Sequence, residues 1–159
     1  MDQSASNTIL LVDDEEMVVT SIKSFLTLET DYDVVTFTSA KEALQYVREH
    51  KVDLVISDYL MPDMDGIEFL AKVKEAQPEA TRVLLTGYAD KENAIKAIND
   101  VGLYQYIEKP WENDDLKLII RNGLEKRVLL KRLQDKITEV NQAHEELMSV
   151  QKEILKAFA

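Results

Sequence analysis

A chain of 159 residues, 45% hydrophobic and 31% charged, has the size and mixture of one globular domain with a short appendage, which excludes wholesale disorder. No apolar run approaches the roughly 18 residues that span a bilayer, MDQSASN at the N-terminus carries no signal-peptide pattern, and zero cysteines exclude disulfides and thiolate metal sites, a combination that suits a cytoplasmic protein with no membrane partner. Nineteen basic against 30 acidic residues give a net charge of −11, which argues against nucleic acid as a partner of this chain.

In chain order, Ile9-Leu10-Leu11-Val12 is a strand-length apolar run that ends abruptly in Asp13-Asp14-Glu15-Glu16. A helical pattern follows on Val18, Ile22, Phe25 and Leu26, then a second run from Val34 to Phe37. Thr38-Ser39 is a start signal for the helix carrying Ala43, Leu44 and Val47, and Val52 to Ser57 is the third run. Pro62 and Gly66 precede a helix on Ile67, Leu70, Ala71 and Val73, which Pro78 closes. Val83 to Thr86, a helix on Ala94, Ile95, Ala97 and Ile98, Tyr104 to Ile107, and a last helix on Leu116, Ile119 and Ile120 complete the series. Apolar runs without alternation imply strands covered on both faces, and strands alternating with helices imply βαβ units. The expected fold is α/β, a doubly wound five-stranded parallel sheet of order 2-1-3-4-5.

The charge is unevenly spread. Residues 124–159 hold seven basic and six acidic side chains, so the whole excess lies in the first 123 residues. The tail has neither Gly nor Pro, and Leu130, Leu133, Ile137, Val140, His144, Leu147, Gln151, Ile154 and Phe158 fall in steps of three and four. That is a heptad seam with Leu130 at a and Leu133 at d, and seven of its nine positions are apolar. A domain over residues 8–122 is therefore expected to run into a coiled-coil segment, 123–159, that forms a parallel homodimer through residues 124–159, with a four-helix arrangement and a link to an output domain left open. Extended backward the seam meets Gly123 and Lys126, so Asn122-Gly123 reads either as soft register or as a helix C-cap.

The chemistry is expected at the carboxyl ends of the strands. Asp13-Asp14 and Asp58 end strands one and three, the neighbours that flank the topological switch point. Three converging carboxylates need a compensating cation, and all-oxygen ligands favour Mg2+. Thr86 and Lys109 reach the same edge from strands four and five, supplying a hydroxyl and a countercharge suited to phosphoryl transfer onto Asp58.

In combination, Leu11-Val12-Asp13-Asp14-Glu15, Asp58 with Met61-Pro62-Asp63-Met64-Asp65-Gly66, Leu85-Thr86-Gly87 and Lys109-Pro110-Trp111 resemble the receiver domain of two-component response regulators, over about residues 8–122. The resemblance implies Asp58 as phosphoacceptor, Asp14 and Asp13 as Mg2+ ligands with the backbone carbonyl of Leu60, Thr86 and Lys109 as phosphoryl contacts, Tyr106 as switch aromatic, and a cis Lys109-Pro110 bond. A sensor histidine kinase or phosphotransfer protein is the implied donor, and self-dephosphorylation the only catalysis. The Gly87-Tyr88-Ala89-Asp90 run and Lys109-Pro110-Trp111 also resemble receivers joined to cyclic-di-GMP enzymes. Two rivals remain. A Mg2+-dependent phosphohydrolase with an aspartyl intermediate needs an acid/base two positions beyond Asp58, where Leu60 stands, and a coiled-coil adaptor with a non-signalling receiver would ignore Mg2+ and phosphate.

Overall fold

The computed structural model describes residues 7–157. Strands β1 (Thr8–Val12), β2 (Asp33–Phe37), β3 (Leu54–Asp58), β4 (Thr81–Thr86) and β5 (Gln105–Glu108) alternate with helices α1 (Glu16–Glu29), α2 (Ala40–Glu49), α3 (Gly66–Ala76), α4 (Lys91–Val101) and α5 (Asn113–Ala157). The sheet is parallel throughout, in the order β2-β1-β3-β4-β5. That is the doubly wound topology expected from the alternation of strand and helix patterns, with the crossover between β1 and β3 as its switch point.

Alternate residues of the strands feed two separate cores. Leu10, Val12, Val55 and Leu84 pack with α2, α3 and α4 on one face. Ile9, Leu11, Ile56 and Leu85 pack with α1 and the first turns of α5 on the other. Every residue of β3 and β4 is buried, which explains why Leu54–Ile56 and Val83–Leu85 read as apolar without alternation. The helix starts follow local side-chain chemistry. Ser39 caps α2 by accepting the Glu42 N–H, and Asp65 Oδ1 caps α3 by accepting from Ile67 and Glu68 at 2.7 and 3.1 Å.

One residue joins two helix ends that no periodicity connects. The Gln77 amide donates to the carbonyls of Val47 and His50 at the end of α2, and its oxygen accepts from Val52 N–H. It thereby satisfies carbonyls that a helix C-terminus leaves open.

The structure replaces both readings of Gly123. Residue 123 is neither a cap nor a weak point but a buried position inside α5. A Cβ there would lie 3.0 Å from Thr81 Cγ2, 3.1 Å from Leu54 Cδ1 and 3.3 Å from Tyr104 Cδ2, while the Gly123 carbonyl accepts from Thr81 Oγ1 at 2.9 Å. The missing side chain lets the helix backbone approach the sheet, at the roughly 1 kcal/mol that glycine costs a helix interior.

The chain divides into two compact units, residues 1–124 and 125–159. The second is helical throughout its described length, and from Val128 to Ala157 every side chain is exposed. Its apolar stripe includes Leu130, Leu133, Ile137, Val140, Leu147 and Ile154, all more than half exposed. Phe158, at the end of the expected seam, lies outside the described residues.

Candidate functional site

Because the strands are parallel, their carboxyl ends form one edge, and the expected site residues occupy it. Asp13 follows β1, Asp58 is the last residue of β3, Thr86 the last of β4, and Lys109 follows β5. Backbone bonds hold this edge together: Tyr59 N–H donates to Leu85 O, and Lys109 N–H to Thr86 O at 2.8 Å. The Lys109-Pro110 bond is cis, as the resemblance implied.

Lys109 is the centre of the arrangement. Its Nζ lies 2.9 Å from Asp13 Oδ2, 3.1 Å from Asp58 Oδ1 and 3.8 Å from Glu15 Oε1. Asp13 is completely buried and Asp58 nearly so, whereas Asp14 is exposed. Asp13 Oδ1 accepts the Glu15 N–H at 2.9 Å. Its buried Oδ2 lies 2.9 Å from the Lys109 ammonium and is reached by no backbone donor.

Two buried carboxylates share one ammonium, and the electrostatics follow. Burial, then the neighbouring Asp13 charge, pushes the Asp58 carboxyl up to about 6, and the contact with Lys109 only partly opposes this. Burial likewise raises Asp13 against the pull of the Glu15 N–H and Lys109. Burial alone would pull Lys109 down, but its bonds to Asp13 and Asp58 win and hold it above the usual lysine range.

One carboxylate oxygen from each of Asp13, Asp14 and Asp58 lies within 4.8 Å of the other two. Hard oxygen donors, excess negative charge and a buried oxygen that no backbone donor reaches together fit a divalent cation of the Mg2+ kind. Leu60, whose carbonyl was an expected ligand, stands on the exposed stretch two residues beyond Asp58.

The remaining expected residues are placed less simply. Thr86 is fully buried, with its hydroxyl donating to the Gly87 carbonyl at 3.2 Å rather than to a carboxylate. Tyr106 is half-buried against the core that α2, α3 and α4 cover. It also lines an open groove of about 330 Å³ with Trp111 and Leu118.

Two further residues shape the edge. Asp63 Oδ2 accepts from Lys41 N–H at 3.0 Å and from the Ser39 hydroxyl at 3.1 Å, tying the β3–α3 loop to the start of α2. These bonds overcome its slight burial and hold its carboxyl below the usual range. Gly66 donates its N–H to Tyr59 O at 2.9 Å, which presses the first turn of α3 against the end of β3. Both lie within the Met61–Gly66 motif, but only the folded chain reveals what they contact.

Comparison with known proteins gives a consistent result. Residues 9–121 match the family described as the response regulator receiver domain. The chain is 38% identical over 118 residues to the hydrogenase transcriptional regulatory protein HoxA of Cupriavidus necator, covering 74% of this chain and 24% of HoxA. It thus spans about a quarter of that relative's length. With the response regulator protein VraR of Staphylococcus saprophyticus the identity is 35% over 158 residues, covering 95% of this chain and 75% of VraR. Among solved structures, the response regulator receiver domain protein of Clostridium thermocellum superposes with a TM-score of 0.73 at 32% identity, over 78% of this chain and 98% of that one.

Proposed function

The chain belongs to the response regulator receiver domain family, and from that premise we propose that it accepts a phosphoryl group on Asp58 and passes the change to a dimeric tail. Members of the family interact with histidine kinases or phosphotransfer proteins and bind Mg2+ through an acidic pocket. The receiver domain itself is a signalling module rather than an enzyme. No helix among the described residues is long and apolar enough to cross a membrane.

The observation that carries the reading is Lys109 bridging Asp13 and Asp58 at 2.9 and 3.1 Å, beside the exposed carboxylate of Asp14. Asp58 is the group placed to act as nucleophile. At neutral pH most of it is ionised, and its raised basicity favours attack on phosphorus. An Asp58 oxygen forms the new O–P bond as the phosphorus–nitrogen bond of a phosphohistidine, or the phosphorus–oxygen bond of an acyl phosphate, breaks. Asp13, Asp14, Asp58 and the Leu60 carbonyl would hold Mg2+, which supplies countercharge to the transferring oxygens. Lys109 adds a second positive charge at the same place.

The modification brings about −1.5 to −2 charges and new acceptor oxygens to the strand edge. Thr86 can rotate from the Gly87 carbonyl to donate to one of them, which would free space for Tyr106 to move inward. We assign the boundary between receiver and tail to residues 124–125, two residues beyond the expected one because Gly123 and Leu124 pack into the receiver core, and the paired form to the helix that follows. The activity of any output domain is set by the chain that the tail serves. A cyclic-di-GMP enzyme is the candidate that the Gly87–Asp90 run suggests.

The test is incubation with acetyl phosphate and Mg2+, followed by intact-mass measurement. Wild-type protein is expected to gain a single phosphoryl group and to lose it on standing, whereas Asp58→Asn gains none. Thr86→Ala keeps the nucleophile but lacks a hydrogen bond to a charged group worth about 1.5–3 kcal/mol, so labelling should slow by roughly tenfold or more. Labelling of Asp58→Asn at the wild-type level would overturn the assignment.

A further inference from the structure

The exposed face of residues 125–157 contains a conflict that one heptad register does not resolve. With Leu130 at a, the seam is apolar from Leu130 to Val140, but His144 and Gln151 then occupy a in the second half. Counting three residues from Val140 instead, Ala143, Leu147, Val150, Ile154 and Ala157 also fall in steps of four and three, and all five are apolar. Leu147 and Ile154 belong to both counts. The alternatives differ by a three-residue shift of the heptad, which turns the seam by about 50° around the helix. Consecutive steps of three, from Ile137 to Val140 to Ala143, form the kind of register break that coiled coils absorb by a local change of winding.

Neither register satisfies the whole stripe. The first puts two polar groups in the core but gives the flanking Met148 and Leu155, 44% and 71% exposed in this chain, partial cover at e. The second has an all-apolar core, yet it fills two layers with alanine and leaves Met148 and Leu155 at b, facing water. No ion pair decides between them. Within residues 141–157 the g and e positions opposite one another are Ala143 with Met148 and Val150 with Leu155 in the first register, and Glu146 with Gln151 in the second. The nearly balanced charge of the tail allows a second copy to approach without strong repulsion.

We propose that residues 141–157 pair with a second copy of this chain in two registers whose seams share Leu147 and Ile154 but lie about 50° apart around the helix, and that a phosphoryl group at Asp58 changes their proportions. This rests on the reading of Asp58 and of a parallel tail dimer given above. The mechanism requires only that the two pairings have similar free energies, so that a modest coupling redistributes them.

The absence of cysteine makes the test clean, because each single-cysteine variant of the full chain reports only its own cross-link. Leu147→Cys sits in both seams, Gln151→Cys only in the first and Val150→Cys only in the second. Disulfide formation is followed by non-reducing gel, with Mg2+ alone and with Mg2+ plus beryllofluoride. Leu147→Cys is expected to cross-link in both conditions, while the ratio of Val150→Cys to Gln151→Cys rates shifts by about threefold or more, a coupling of roughly 0.7 kcal/mol. Adding His144→Leu and filling position 151 as Gln151→Leu should fix the first register and suppress the Val150→Cys product in both conditions. An unchanged ratio, or cross-linking at only one of positions 150 and 151 throughout, overturns the inference. So does a four-chain mass with both positions linked irrespective of beryllofluoride. Failure of Leu147→Cys to cross-link overturns instead the parallel dimer, and loss of acetyl phosphate labelling at Asp58 overturns the phosphoacceptor reading.

Discussion

Asp58→Asn is expected to stabilise the Mg2+-free protein at pH 8, by about 2–3 kcal/mol or several degrees in Tm. The ordinary value for the carboxyl is 3.8, and in the folded chain burial and the Asp13 charge lift it to about 6. Between those two values the folded form keeps a proton that the unfolded form has lost. Stability therefore falls as pH rises through that window, and the full cost of the ionised side chain is present above about pH 6. Asparagine keeps the size and the acceptor facing Lys109 without the charge. The advantage should shrink as pH falls from 6 toward 4. It should also shrink when Mg2+ is added, because the cation stabilises the wild-type pocket by mass action more than the variant's. Thermal melts of both proteins at fixed concentration, across pH 5–8 and with or without Mg2+, check this. A variant less stable than wild type at pH 8 without Mg2+ would show that Lys109 already compensates both carboxylates.

Gly66→Ala is expected to damage the fold and the site together. A Cβ at residue 66 would lie 2.0 Å from the carbonyl oxygen of Asp58, 2.9 Å from its carbonyl carbon and 3.1 Å from Tyr59 Cα. All three are backbone atoms at the carboxyl end of β3 or just beyond it, so no rotamer change relieves the contact. The first turn of α3 must move away, losing the Gly66 N–H bond to Tyr59 O and disturbing the burial of Phe69 and Leu70. A loss of roughly 3 kcal/mol is expected, the upper range for overpacking. Displacing a nucleophile by about 1 Å can cost a hundredfold in rate, so acetyl phosphate labelling should slow by tenfold or more even below the variant's Tm. Unchanged melting and labelling would mean that α3 is less tightly set against Asp58 than the structure describes.

The site and the fold were legible in the sequence to different depths. Parallel strands buried on both faces write themselves as largely apolar runs, so the strands could be read from Ile9–Val12, Val52–Ser57, Val83–Thr86 and Tyr104–Ile107, while their order came with the doubly wound fold class. The acids and the lysine stand directly at the ends of those runs, where one-dimensional position already fixes location on the strand edge. The cis peptide came only with the resemblance, because X-Pro sequence alone does not select the isomer.

What the sequence concealed depends on contacts between distant segments. Gly123 looked like punctuation, yet its meaning lies in Thr81, Leu54 and Tyr104, 19 to 69 residues away in the chain. Gln77 reads as an ordinary polar residue after a helix, although its amide closes the end of α2. Thr86 was placed correctly on the edge, but its hydroxyl orientation toward Gly87 is set by local geometry that no motif encodes. In the tail, the heptad count was visible while the competing count beginning at Ala143 was masked by their shared Leu147 and Ile154.

The central claim is that Asp58 is the phosphoacceptor. It is tested most directly by treating the protein with acetyl phosphate and Mg2+ and reducing the product with borohydride. Hydride converts an aspartyl phosphate to the primary alcohol of homoserine and releases phosphate, marking the residue that carried the acyl phosphate. Peptide mapping by mass spectrometry is expected to find homoserine at position 58 alone, and only when Mg2+ was present. Homoserine at Asp13 or Asp14, or labelling at Asp58 that is indifferent to Mg2+, would contradict the account.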